Sequence, residues 1–171
     1  MKKNISIVIS LFNEEKSIND LGKSLVSVLA KLNDFTFEVI WVNDGSTDKT
    51  GHKVDKVAQS YKTDNVTHVK IDFSRNFGHE AAMISGIDNT TGDAIICMDA
   101  DGQHPPSEIP NMISAFLKGN DYVLMSRVQR HDNGFLKKSL SSFFFNFINS
   151  LSKIPFEKNA SDFFLISGNV A

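Results

Sequence analysis

A chain of 171 residues, 41% hydrophobic and 22% charged, holds enough apolar material for one domain with its own core and lacks the composition of a disordered chain. Its net charge of −2 excludes a general nucleic-acid binder, whose domains are strongly basic. The single cysteine, Cys97, excludes an internal disulfide or a thiolate metal cluster, and no apolar run approaches the ~18 residues of a membrane span.

Met1-Lys2-Lys3 leads directly into residues 5–11, an apolar run of strand length and too short for a secretory leader. Residues 14–32 place Ile18, Leu21, Leu25, Val28, Leu29 and Leu32 at helical spacing. A second strand over 37–42 breaks at Asn43-Asp44-Gly45-Ser46-Thr47-Asp48, a turn signal ending in an N-cap for a helix through Tyr61. Residues 66–73 form a third strand, followed by a polar loop over 74–78 and a helix through about Asn89. Residues 94–98, around Cys97, make the fourth strand, and 106–118 a helix whose first turn holds Glu108, favourable at that end of the dipole. The fifth strand covers 122–126. Short strands alternating with helices predict an α/β fold with a doubly wound, mostly parallel sheet. Such sheets bind ligands beyond the carboxyl ends of their strands.

Four polar clusters fall at those ends: Asn13-Glu14, Asp44-Gly45-Ser46, Ser74-Arg75-Asn76, and Asp99-Ala100-Asp101-Gly102-Gln103. Two carboxylates one residue apart repel unless a cation lies between them. A hard divalent cation takes one or two carboxylates and completes its shell with phosphates, and Gln103 adds a neutral carbonyl ligand. Taken alone, such a triplet is more often a solvated acidic turn. Converging on one sheet edge, three clusters with acids and one with arginine point to a metal and a phosphorylated ligand. The ten glycines include no G-x-G and no P-loop, so the phosphates are left to the cation and to arginine.

Ser10-Leu11-Phe12-Asn13-Glu14-Glu15, residues 42–48, Ser74-Arg75-Asn76-Phe77-Gly78 and residues 98–106 resemble, in order and spacing, the motifs of family 2 glycosyltransferases with the GT-A fold. The resemblance is greatest to the polyprenyl-phosphate branch, which includes dolichol-phosphate mannose synthase and the bactoprenol glucosyltransferases. It implies a single catalytic domain over 1–171 and metal-dependent, inverting transfer of a sugar from a UDP- or GDP-sugar to a polyprenyl phosphate. The alternatives are a glycan hydroxyl acceptor or a non-catalytic nucleotide-sugar-binding module. By resemblance, Leu11, Asn13, Glu14, Asp44, Ser46, Arg75, Asp99 and Ala100 hold the nucleotide sugar, with Asp44 accepting a hydrogen bond from the base. Asp99, Asp101 and Gln103 hold Mg²⁺ or Mn²⁺. Asp101, Arg127 and Asp162 are the catalytic set: Arg127 meets the diphosphate or the acceptor phosphate, and Asp162 acts as a base or as an orienting carboxylate. The sequence departs from the family at Ser10, where proline is common, and at Gly102, where leucine is common.

The charge is unevenly spread. Residues 1–126, the nucleotide-sugar-binding body, carry a net −5, while residues 127–158 carry +4. Eight of the fourteen phenylalanines lie beyond residue 134. Residues 134–155 repeat apolar side chains at helical spacing beside Lys137 and Lys138, the pattern of an amphipathic helix at a membrane surface, or of one packed on the sheet. Residues 127–171 are therefore expected to form an acceptor-side segment. The resemblance further implies a place at the cytoplasmic face of the membrane and a full-length protein that continues past Ala171 into membrane helices.

Overall fold

Continuous burial, not alternation, marks the centre of the sheet. In this computed structural model, which describes residues 2–126 and 160–171, strand β1 (Lys3–Leu11) is buried from Ile5 onward. Strand β2 (Phe35–Asn43) is buried from Phe37 onward. That is the pattern of parallel strands covered by helices on both faces. The two pair in parallel, with Ile5 opposite Phe37 and Leu11 opposite Asn43. Strand β3 (Val66–Asp72) lies beyond β2, and β4 (Ala94–Asp99) takes the other side of β1, both parallel.

The connecting helices are α1 (Ile18–Leu29), α2 (Thr50–Ser60), α3 (His79–Asp88) and α4 (Ile109–Leu117). Helix α1 turns Ile18, Leu21, Leu25 and Leu29 inward. It starts later than the helical pattern from residue 14 predicts, because the chain at 13–15 is tied to the loop after β2. The helix expected over 106–118 is split: a 3₁₀ turn over Pro106–Glu108 precedes α4, whose first turn contains Pro110. Helix α3 approaches the sheet so closely that a Cβ on Gly86 would lie 2.2 Å from Val8 Cγ1. Only a glycine admits that approach.

The five expected strands are present, β5 being Tyr122–Ser126. A sixth, β6 (Ala160–Ser167), forms in a stretch to which the sequence assigns no element. It pairs antiparallel with β4, giving the order β3-β2-β1-β4-β6-β5. The sheet is therefore mostly parallel and doubly wound, with β6 running against β4. By contacts the chain divides into two compact units, Met1–Val123 with Asp162–Ala171, and Leu124–Ser161. Asp162 thus groups with the body and not with the segment expected to begin at 127. Arg127 and the helix expected over 134–155 lie outside the described residues. Among those described, no helix is long and apolar enough to cross a membrane.

Candidate active site

The loops after β1, β2 and β3 are fastened to one another before any ligand arrives. Asn13, at φ +56°, donates its backbone N–H to Ser46 Oγ (3.0 Å), and its Oδ1 accepts from the Thr47 amide (2.9 Å). The Glu14 amide donates to Thr50 Oγ1 (2.8 Å), and the Glu15 amide to Asp48 Oδ2 (3.2 Å). The Lys53 ammonium donates to the Glu15 carbonyl. Gly45 sits at φ +62°, and any Cβ there would stand 2.2 Å from the Arg75 carbonyl carbon. Glycine at that position lets the loops after β2 and β3 touch.

Asp44 completes the fastening. It is 2% exposed, and its two oxygens accept the backbone N–H groups of Phe77 (2.7 Å) and Gly78 (2.9 Å). These bonds fix where the chain turns into α3, whose first residue is His79. Arg75 lies over the Phe77 ring, 4.4 Å from its centre.

The carboxyl end of β4 gathers titratable side chains. Ala94 faces Ser167 and Cys97 faces Phe164 across the β4–β6 pair, and carrying that register two residues further sets Asp99 opposite Asp162. The Asp99 backbone N–H donates to Nδ1 of His104 (2.8 Å), whose buried ring stacks on Phe163 at 5.1 Å. His79 Nδ1 lies 2.7 Å from Ser10 Oγ and 3.5 Å from Asp99 Oδ1, while its Nε2 lies 4.0 Å from Asp162 Oδ2. Burial pushes the Asp99 carboxyl above its usual range, and the Asp101 and Asp162 charges add to the rise against the lowering pull of His79 and His104. A carboxylate raised in this way gains from a neighbouring cation.

The three-dimensional donor set differs from the triplet in the sequence. His79, Asp99 and Asp162 each offer a ligand atom within 4.8 Å of the others. Asp101 is instead engaged by Gln103, whose backbone N–H and side-chain amide donate to its two oxygens at 2.8 Å each. A cleft of about 430 Å³ opens beside this cluster. Of the residues singled out in the sequence, Leu11, Glu14, Asp44, Asp99, Ala100, Asp101 and Asp162 line it. Asn13, Ser46, Arg75 and Gln103 do not; the first two serve the loop–loop contacts. His79 and His104 were not singled out by sequence. Their signal is faint: each follows a glycine-bearing loop at a strand's carboxyl end.

A doubly wound sheet with one reversed strand and an acid-lined cleft at the carboxyl edge is the architecture of the GT-A glycosyltransferases. Residues 6–171 match the glycosyl transferase family 2 profile, and the chain belongs to that family. It is 37% identical over 166 residues to the bactoprenol glucosyl transferase of Shigella phage SfX, covering 97% of this chain and 53% of that protein. The chain thus spans about half the length of the curated relatives it matches. Among solved structures, it resembles the Mycobacterium tuberculosis glucosyl-3-phosphoglycerate synthase in complex with Mn²⁺, UDP and phosphoglyceric acid. The TM-score is 0.65 at 19% identity, over 98% of this chain and 57% of that one. A Pyrobaculum calidifontis mannosyltransferase in complex with GDP-Man and Mn²⁺ gives 0.62 at 18% identity, over 76% and 36%.

Proposed function

We propose that this chain is the catalytic part of a metal-dependent, inverting transferase that moves a sugar from a nucleoside-diphosphate sugar to a polyprenyl phosphate. One observation carries the reading: among the described residues the cleft is lined by five carboxylates (Glu14, Asp44, Asp99, Asp101 and Asp162) with His79 as the only basic side chain. A diphosphate is repelled by such a wall unless a divalent cation accompanies it. The residues fit that ion, since oxygen and nitrogen donors converge and Asp99 is held in a raised state that a cation relieves.

Asp99 and Asp162 would hold the ion, which when bound neutralises charge growing on the leaving diphosphate. In the transfer, an oxygen of the acceptor phosphate bonds to the anomeric carbon as the bond to the diphosphate breaks, and the nucleoside diphosphate leaves with the electron pair. A phosphate acceptor is ionised at neutral pH and needs no base, so Asp162 need not take a proton in the transfer. Asp44 and Glu14, on the same wall, flank the nucleotide. The bactoprenol glucosyl transferase relatives support the polyprenyl phosphate as acceptor, and the Mn²⁺ complexes among the fold neighbours support the cation. The +4 charge of residues 127–158 supports contact with an anionic membrane surface.

Calorimetric titration with UDP- and GDP-sugars tests the reading. Binding is expected in Mn²⁺ and lost in EDTA; equal affinity in both would overturn it. Flotation with anionic and neutral vesicles tests the membrane arm, where binding confined to anionic vesicles and abolished by salt is expected. Failure to float with either would remove that arm.

A further inference from the structure

We propose that His79 is a nitrogen ligand of the cation in this cleft, making it a mixed imidazole–carboxylate centre that prefers Mn²⁺ to Mg²⁺. The inference rests on the metal-dependent reading above and names the ion that reading leaves open.

The imidazole is held in one orientation from two sides. Its Nδ1 faces Ser10 Oγ at 2.7 Å and Asp99 Oδ1 at 3.5 Å. A carboxylate oxygen accepts only, so a proton on Nδ1 satisfies both neighbours, and that assignment follows from the partners around the ring. Nε2 is then left with its lone pair facing Asp162 Oδ2 at 4.0 Å. That gap is too long for a hydrogen bond, yet it suits two donors each about 2.1 Å from one ion. A ligating histidine whose other nitrogen is fixed by a hydroxyl or carboxylate is the usual second-sphere arrangement of metal sites.

The fold supplies the placement from three separate segments. Ser10 lies one residue before the end of β1, Asp99 ends β4, and Asp162 enters from β6, while Asp44 fixes the turn from which α3 presents His79. His79 is 42% exposed and Asp162 67%, so an ion has a path in. His104, the other imidazole beside Asp99, has Nδ1 engaged by a backbone N–H, which leaves His79 to supply the nitrogen. An all-oxygen set suits Mg²⁺, and replacing one oxygen by imidazole shifts preference toward the transition series.

The test uses Mn²⁺ alone, followed by electron paramagnetic resonance of the bound ion. Spin-echo modulation from a directly bonded imidazole nitrogen is expected in the wild type and absent in His79→Asn. Asparagine retains a donor for Ser10 and places none where Nε2 was. Mn²⁺ affinity should fall on the order of tenfold or more in that variant, and Mg²⁺ affinity, read by competition, by less than about threefold. Ser10→Ala should give a smaller loss of Mn²⁺ affinity, since the ring then loses one of its two restraints. Mn²⁺ binding without nitrogen modulation, or modulation that persists in His79→Asn, would overturn the role of His79 while leaving the cation reading intact. No Mn²⁺ binding by a wild type of native circular dichroism would overturn both.

Discussion

Replacing Asp44 by asparagine separates anchoring from recognition. The native carboxylate is almost fully buried and accepts two backbone N–H groups, from Phe77 and Gly78, at 2.7 and 2.9 Å. Asparagine has one carbonyl oxygen, so one bond survives without its charge and the other N–H meets an NH₂ donor. A hydrogen bond to a charged acceptor contributes roughly 1.5–3 kcal/mol, and an N–H left without an acceptor costs a further ~1–3 kcal/mol where water is excluded. Phe77 is 51% exposed, so water reaches part of this turn and the lower half of that range applies. A destabilisation of about 2–3 kcal/mol is expected from guanidinium unfolding followed by circular dichroism. A native m-value would show that the unfolding unit is unchanged.

The same variant should also bind nucleoside diphosphate less tightly, because the turn that Asp44 holds presents His79 to the cleft. Asp44→Glu keeps the charge and so retains most of the stability if the N–H groups follow it, but it moves the carboxylate toward the ligand. Loss of nucleotide affinity in Asp44→Glu with stability retained would mark direct recognition of the base. Stability within about 0.5 kcal/mol of wild type in Asp44→Asn would refute the anchoring role and with it the account of how α3 is positioned.

Two further outcomes follow from buried groups away from the cleft. Glu38, at the opposite end of the sheet, accepts from Ser6 Oγ (2.5 Å), the Thr91 amide (2.5 Å) and Thr91 Oγ1 (3.0 Å); Glu38→Ala should cost about 3 kcal/mol, and a native unfolding midpoint would contradict this. Because that end is remote from the ligand, Mn²⁺-dependent nucleotide affinity of the folded fraction should stay at the wild-type level. Burial pushes the Cys97 thiol from its ordinary 9.0 up to about 12, so iodoacetamide should label it only at the rate of global unfolding, and rapid labelling of native protein would refute its burial. The raised value also sets a pH trend: the stability linked to this proton is present in full below pH 9.0 and is lost as pH climbs toward 12, where the unfolded thiol ionises first.

Strands β1 to β5 were legible because each is a short stretch of largely apolar or β-branched residues closed by turn chemistry, as at Val42-Asn43-Asp44-Gly45. Strand β6 was not. Phe163-Phe164-Leu165-Ile166 is apolar on both faces and follows a stretch whose phenylalanines fit a helical repeat, so no local period distinguishes it. Its partner β4 is distant in sequence, and non-local pairing leaves no mark in a short window. The acid triplet was legible from its position after an apolar strand. The engagement of Asp101 by Gln103 was not, because an Asx turn and a pair of metal ligands use the same residues at the same spacing. His79 escaped notice for a related reason: its partners Ser10, Asp99 and Asp162 come from three segments that only the folded sheet brings together.

The reversed strand is what turns a generic sheet edge into a site. In a wholly parallel sheet every strand delivers its carboxyl end to the ligand edge, and the residues there lie on loops that leave the sheet. Strand β6 instead delivers its amino end, so Asp162 arrives while still within the strand, two residues past the last β4–β6 pair, and comes close to Asp99. Like charges directly across two strands are destabilising, and burial of Asp99 deepens the conflict. The core can hold this arrangement because Phe163 and Leu165, on the buried face of β6, are fully packed beneath it, with Phe163 stacked on His104. The apolar face of the strand therefore sustains an electrostatic conflict at its tip that a divalent cation, and the diphosphate it carries, would resolve. Packing energy from one face of β6 keeps the carboxylates ready on the other side of a cleft that is unfavourable when empty of charge balance.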